Sequence, residues 1–244
     1  FAASISRKGT DNITIVSSGD AANTVYFAPT GTTNFVVDGT TITSASGTAT
    51  SIAAPDNEGN YKLFVVDAAG NASAESTATL NVDNTAPNNQ NTVFAASAFV
   101  NSTDVITIVS SGDAANTVWF APSGTTTFVA GATMTSAAGT ATSIDAPNTE
   151  GAYKLFIVDA AGNISAESTA TLTVDDTAPT NENTVFAASI SRKGTDNITI
   201  VSSGDANNTV YFAPAGTSNF VVDGTTITSA TGTATSIAAP DNEG

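Results

Sequence analysis

The sequence predicts an all-β chain of tandem β-sandwich domains, about seven strands each, arranged as an extended rod. Three observations predict it. A block opening Phe-Ala-Ala-Ser at Phe1 returns at Phe94 and Phe186, after 93 and then 92 residues. That period suits one sandwich and is too long for a solenoid or propeller unit. Thr, Ser, Ala, Asn, Val and Gly dominate, and Leu occurs only at Leu63, Leu80, Leu155 and Leu172, too few for a helical bundle. Within each copy, apolar and polar residues alternate with period two between Gly, Asp, Asn and Pro turns.

In the second copy that alternation places a first strand over 92–98, a second over 105–109 and a third over 117–120. A hairpin over 128–134 follows, then strands over 141–144, 153–159 and 168–174. In the strand over 153–159, Tyr153, Leu155 and Ile157 share one face and Lys154 and Phe156 the other, the pattern of a half-buried strand. The outer copies carry Asp38-Gly39 and Asp223-Gly224 where the second has Ala130-Gly131 and is one residue shorter. Asp-Gly between strands signals a type I′ hairpin, so this tip reads as a variable surface.

Polar, proline-bearing stretches at 83–87 and 175–179 read as linkers. They divide the chain into 1–82, a repeat lacking its first strand; 83–174, a complete repeat; and 175–244, a repeat lacking its last two strands. Residues 1–59 and 186–244 are identical at 55 of 59 positions. The lopsided ends imply a longer natural chain, or a partner that supplies the missing strands by β-augmentation.

Charge and chemistry narrow the function. Six Lys plus Arg stand against 22 Asp plus Glu, a net charge of −16, which disfavours nucleic acid and anionic membrane surfaces and favours cations. There is no Cys and no His, which removes disulfides, thiol catalysis, thiolate and imidazole metal sites and the usual general base. No apolar run is long enough to insert in a membrane. With no phosphate loop and no Ser at a suggestive spacing from Lys62 or Lys154, an enzyme is not expected.

The run Gly151-Ala-Tyr153-Lys-Leu155-Phe-Ile157-Val-Asp159-Ala-Ala-Gly162-Asn163, then a Thr-rich strand and Asp175-Asp176-Thr-Ala-Pro179, resembles the bacterial immunoglobulin-like tandem repeats of large cell-surface adhesins and biofilm proteins. The first copy carries the same run from Gly59 to Pro87. The resemblance implies immunoglobulin-like sandwiches and a secreted or bacterial cell-surface location. Tyr153, two residues after Gly151, looks like a tyrosine corner.

In such a topology, loops and linker meet at one pole. The first junction would gather Asp83, Asp113, Asp159 and Asn163, and the second Asp175, Asp176 and Asp205. Clustered carboxylates repel unless protonated or bridged, and oxygen-only ligands suit Ca²⁺, which would stiffen the joint as it does in related adhesin stalks. Alternatively these acids cap turns and hold no metal. Tyr26, Trp119 and Tyr211 recur on the third strand as a sugar platform, a contact between chains, or cross-strand packing. Arg7-Lys8 and Arg192-Lys193 are solvated turns or basic tips that dock on a neighbouring molecule. A Lys-Asn isopeptide bond at Lys62 or Lys154 is a further alternative. The expected function is a stiff, non-enzymatic stalk or fibre spacer whose partners are copies of itself or a cell or biofilm surface. A self-assembling filament or surface-layer subunit, or a carbohydrate-binding module, are the alternatives.

Overall fold

The computed structural model describes residues 1–242; the last two residues of the expected third domain lie outside them. The first repeat holds β1 (Ile5–Arg7), β2 (Asn12–Thr14), β3 (Thr24–Pro29), β4 (Thr43–Ser46), β5 (Ser51–Ala53), β6 (Gly59–Val66) and β7 (Leu80–Val82). Five strands form one sheet in the order β1-β7-β6-β3-β4, and β2 pairs with β5 in a second. All neighbours are antiparallel except β1 and β7, which run parallel with Ile5 opposite Leu80. Period-two alternation builds the layers. Val25 and Phe27 from β3 and Tyr61 and Leu80 from β6 and β7 point inward onto Ile13 and Ile52 of the small sheet.

The second repeat repeats the plan. It holds α1 (Gln90–Val93), β8 (Ala98–Val100), β9 (Val105–Thr107), β10 (Thr117–Ala121), β11 (Thr135–Ala138), β12 (Ser143–Asp145), β13 (Gly151–Val158) and β14 (Leu172–Val174). Its sheets are β11-β10-β13-β14-β8 and β12-β9, over a core of Ile106, Val118, Phe120, Ile144, Leu155, Ile157 and Leu172. The third has α2 (Glu182–Val185), β15 (Asn197–Thr199), β16 (Thr209–Phe212), β17 (Thr228–Thr231) and β18 (Ser236–Ala238), paired β15-β18 and β16-β17. The pairing is that of immunoglobulin-like sandwiches, as expected. The chain divides into two compact units, with the break after Asp176. The first unit contains both seven-stranded repeats.

Four expectations need correction. The first repeat does not lack its opening strand, because the strand that pairs with β7 is β1. Its counterpart β8 begins only at Ala98, and Thr92-Val93 belong to α1. The residues before Ala98 plug the core instead of extending the sheet: Val93 and Phe94 are buried, and Phe94 meets Phe120 edge-on at 5.0 Å. Residues 128–134 form no stranded hairpin; Gly131 and Met134 make one isolated bridge. The strand β13 is buried on both faces in its middle, because Phe128 folds over the outer face onto Phe156 at 5.3 Å.

Two local devices complete the fold. Tyr153 Oη donates to the Thr149 carbonyl at 2.6 Å and Tyr61 Oη to that of Asn57 at 2.8 Å, the tyrosine corner. Beyond β13, the chain returns beside it without a regular ladder, and serines replace the missing acceptors. The Leu155 and Ile157 N–H groups donate to Ser168 Oγ and Ser165 Oγ, each at 2.9 Å. Both hydroxyls are buried, and Ser76 and Ser73 do the same in the first repeat.

Candidate functional site

The five-residue turn after β13, Asp159-Ala-Ala-Gly-Asn163, has the same sequence as Asp67-Ala-Ala-Gly-Asn71 after β6. Both fold alike. Asp159 Oδ1 accepts the N–H groups of Ala161 and Asn163 at 2.9 and 2.8 Å, and Oδ2 accepts Asn163 Nδ2 at 2.9 Å. Asp67 holds Asn71 in the same way, and the Asn71 side chain is the main reason that the Asp67 carboxyl lies below its ordinary range. Gly162 has φ +87°, which a side chain would strain.

Burial separates the two turns. Ala69 and Asn71 are exposed, whereas Ala161 and Asn163 are only 7% and 6% exposed. The second turn is seated on the end of the first repeat. Asn163 Nδ2 donates to the Asp83 carbonyl at 2.8 Å as well as to Asp159, and Lys8 lies beside Gly162. Asp83 itself continues the β1–β7 ladder, its N–H donating to the Arg7 carbonyl at 3.0 Å. One side-chain amide thus ties the linker to the next repeat.

The remaining expected ligands serve other purposes. Asp113 and Asp205 each accept an N–H two residues on, from Ala115 and Asn207, at 2.8 Å. Gly139 lies so close to the Asp113 turn that a Cβ there would collide with the Asp113 carbonyl. Asp175 continues the β8–β14 ladder through its N–H to the Val100 carbonyl. Asp176 clasps its own repeat: its N–H donates to Glu150 Oε1 at 2.9 Å and its Oδ1 accepts the Ser102 N–H at 2.8 Å. Those bonds from Ser102, backbone first and hydroxyl second, hold its carboxyl below the usual range. Asn84 does the same work in the first repeat, tying Gly9 to Glu58.

Among the described residues no three acidic groups come together as a metal site. At the first joint the Asn163 amide N–H faces both the Asp83 carbonyl and the Asp159 carboxylate.

The aromatics on the third strand are used internally. Tyr26, Trp119 and Tyr211 lie 5.0, 5.5 and 5.0 Å from Phe35, Phe128 and Phe220, and each is partly buried. Lys62 and Lys154 bond to carbonyls after the next turn, Lys154 Nζ to Thr169 at 3.0 Å and Lys62 Nζ to Thr77 at 3.0 Å. The serine acceptors, the covering Phe residues and the clasp at Asn84 and Asp176 escaped the reading of the sequence. The recurrence of Ser-x-x-Ser, eight and thirteen residues after the strand positions that the two serines pair, was the available signal for the serines.

No family model matches the chain, and no curated protein matches it. Among solved structures it is similar to the fibronectin(III)-like modules of Clostridium thermocellum CbhA, at 16% identity and TM-score 0.32, over 71% of this chain and 90% of that one. A biofilm-associated protein BSP domain matches at 22% identity and TM-score 0.24, over 73% of this chain and 30% of that one. The Bacteroides ovatus mixed-linkage glucan utilization protein SGBP-B, in complex with a mixed-linkage heptasaccharide, matches at 14% identity and TM-score 0.23, over 70% and 43%. The chain spans less than half of the latter two. The fold assignment rests on the strand pairing described above, and at these scores the likenesses say nothing of ligand or activity. No helix among the described residues is long and apolar enough to cross a membrane.

Proposed function

We propose that the chain is a run of immunoglobulin-like modules acting as a non-enzymatic spacer in an extracellular bacterial surface protein, with a joint between the first two repeats that is packed and therefore stiff. One observation supports this above the others: the turn over 159–163 is buried on the preceding repeat and bonded to its linker through Asn163, while the identical turn over 67–71 is exposed. A free linker would leave both turns equally solvated. The chain has no Cys, so spin labels on Thr14→Cys and Thr107→Cys report the joint cleanly. Double electron–electron resonance on the full chain is expected to give a narrow distance distribution that Asn163→Ala broadens. Equal widths would remove the proposal.

The ion-stiffened joint is tested beside it. A calorimetric calcium titration without heat at millimolar concentrations fits the amide joint proposed here; heat together with a narrower label distribution would favour calcium.

A second reading, lateral assembly of copies, is favoured by a different feature. Val36, Val129 and Val221 are each more than half exposed, one per repeat at corresponding places. Light scattering that detects a wild-type polymer, dispersed by serine at all three positions, would support it.

A further inference from the structure

The two complete repeats differ where their shared plan does not require it. On the outer face of the first repeat, Ser6 on β1, Asn81 on β7 and Asn60 on β6 stand in register across three adjacent strands. The corresponding row in the second repeat is Phe99, Thr173 and Ala152. All three members of the row are different, although the next row, Ser4 and Thr79 in one repeat, is Ser97 and Thr171 in the other. The amide row is thus a property of one repeat and not of the fold.

The row has unused hydrogen-bonding capacity. Asn81 Nδ2 reaches Ser6 Oγ at 3.4 Å, while Asn81 Oδ1 and the Asn60 amide have no partner among the described residues. These groups line an open cleft of about 380 Å³ together with Ser4 and Thr79, and Ala160 from the turn of the second repeat closes one side. That turn is the one Asn163 fixes in place, so the cleft has a wall supplied by the next repeat. Adjacent strands lie about 4.8 Å apart, so the row offers donors and acceptors at a spacing that suits alternate hydroxyls of one sugar ring, not adjacent ones.

We infer that the cleft beside Ser6, Asn60 and Asn81 is a binding site for a neutral saccharide, one or two rings in extent. The chemistry selects that class. The row contains no charged group, and a net charge of −16 opposes anionic ligands. No carboxylate stands in the row to hold a cation, and Ile5 is the one sizeable apolar side chain in the lining, too little to select an apolar ligand. A primary amide both donates and accepts, which is what a hydroxyl-rich ligand requires. A volume near the lower end of small-molecule sites limits the ligand to a small fragment or a chain end. A shallow site without aromatic stacking binds weakly, with a Kd of about 1 mM, or about −4 kcal/mol.

The test uses the full chain, isotopically labelled, titrated with cellobiose, maltose and lactose as separate probes. Chemical-shift changes are expected at Ser6, Asn60, Thr79, Asn81 and Ala160 with at least one of them. Asn60→Ala with Asn81→Thr converts the row to residues that the second repeat already carries on the same fold, so folding is retained; it should weaken binding about tenfold or more, equivalent to about 1.4 kcal/mol. Trp119→Ala should leave the titration unchanged. Saturating concentrations that move no resonance, shifts that survive the double substitution, or shifts centred on Trp119 would each overturn the inference. The Ala160 wall rests on the joint proposed above, and the spin-label distances read that joint separately, so failure of the joint and failure of the saccharide site are distinguished.

Discussion

A buried N–H has to be paired, and in this chain single serine hydroxyls carry that duty. Ser168 is 1% exposed; its Oγ accepts the Leu155 N–H and donates to the Ala170 carbonyl. Ser168→Ala should therefore cost about 1–3 kcal/mol, the desolvation of an unpaired buried donor, read as a lower denaturation midpoint without a change in slope. A serine on the solvated face would cost far less. Asp38 acts at the same scale by a different route. Its carboxylate accepts the Thr41 hydroxyl and the N–H groups of Ile42, Thr41 and Thr40, and these bonds push its pKa far down; Asp223 repeats the arrangement. A depressed folded pKa stabilises the native state fully above the unfolded value of about 3.9, and the contribution fades as pH falls below it toward the folded value. Asp38→Asn with Asp223→Asn should flatten the acid limb of stability against pH, measured by urea unfolding between pH 7 and pH 2. An unchanged limb would mean that the two turns are equally held without charge.

At the scale of elements, the loop between β10 and β11 does more than connect. Phe128 packs at an incline between Trp119 and Phe156, at 5.5 and 5.3 Å, and closes the outer face of β13. Phe128→Ala should lower stability by about 1–2 kcal/mol through lost apolar burial and lost ring contacts. It should also quench-shift the single tryptophan toward the emission of a solvated indole. The alternation of Tyr153, Leu155 and Ile157 identified β13 because side chains on a strand must alternate. The same rule could not reveal that Phe156 is covered, since the cover comes from a loop that has no period. Strand identity, the repeat and the tyrosine corner were legible because each is a local pattern. The opening strand was misplaced because Val93 and Phe94 are apolar for a different reason, as a plug at the end of the core. Spacing along the chain says which pole a loop reaches, and it brings Asp83, Asp159 and Asn163 to one joint, but it does not say which way an aspartate turns. Asp113 and Asp159 both turn inward to accept the N–H groups of Ala115 and Ala161 in their own turns.

At the scale of the whole molecule, the consequence is cooperativity between modules. Two sandwiches joined by a flexible linker unfold independently, each with its own midpoint. Here the turn over 159–163 is buried on the first repeat, and its amide bonds the linker carbonyl of Asp83. Unfolding the first repeat therefore exposes part of the second and strands the Asn163 amide. The coupling is a free energy shared by both repeats, and it vanishes if the amide is removed. Differential scanning calorimetry of the full chain should resolve the first two repeats as one merged transition. With Asn163→Ala they should separate, while Asn71→Ala, the same residue in the exposed turn, should leave the merged transition merged. The pair of variants matters because both remove an amide bonded to an aspartate in the same five-residue sequence, so their difference isolates the contact with the neighbouring repeat. Separate transitions in the unmodified chain, or identical traces from the two variants, would mean that burial of the turn transmits no stability across the joint.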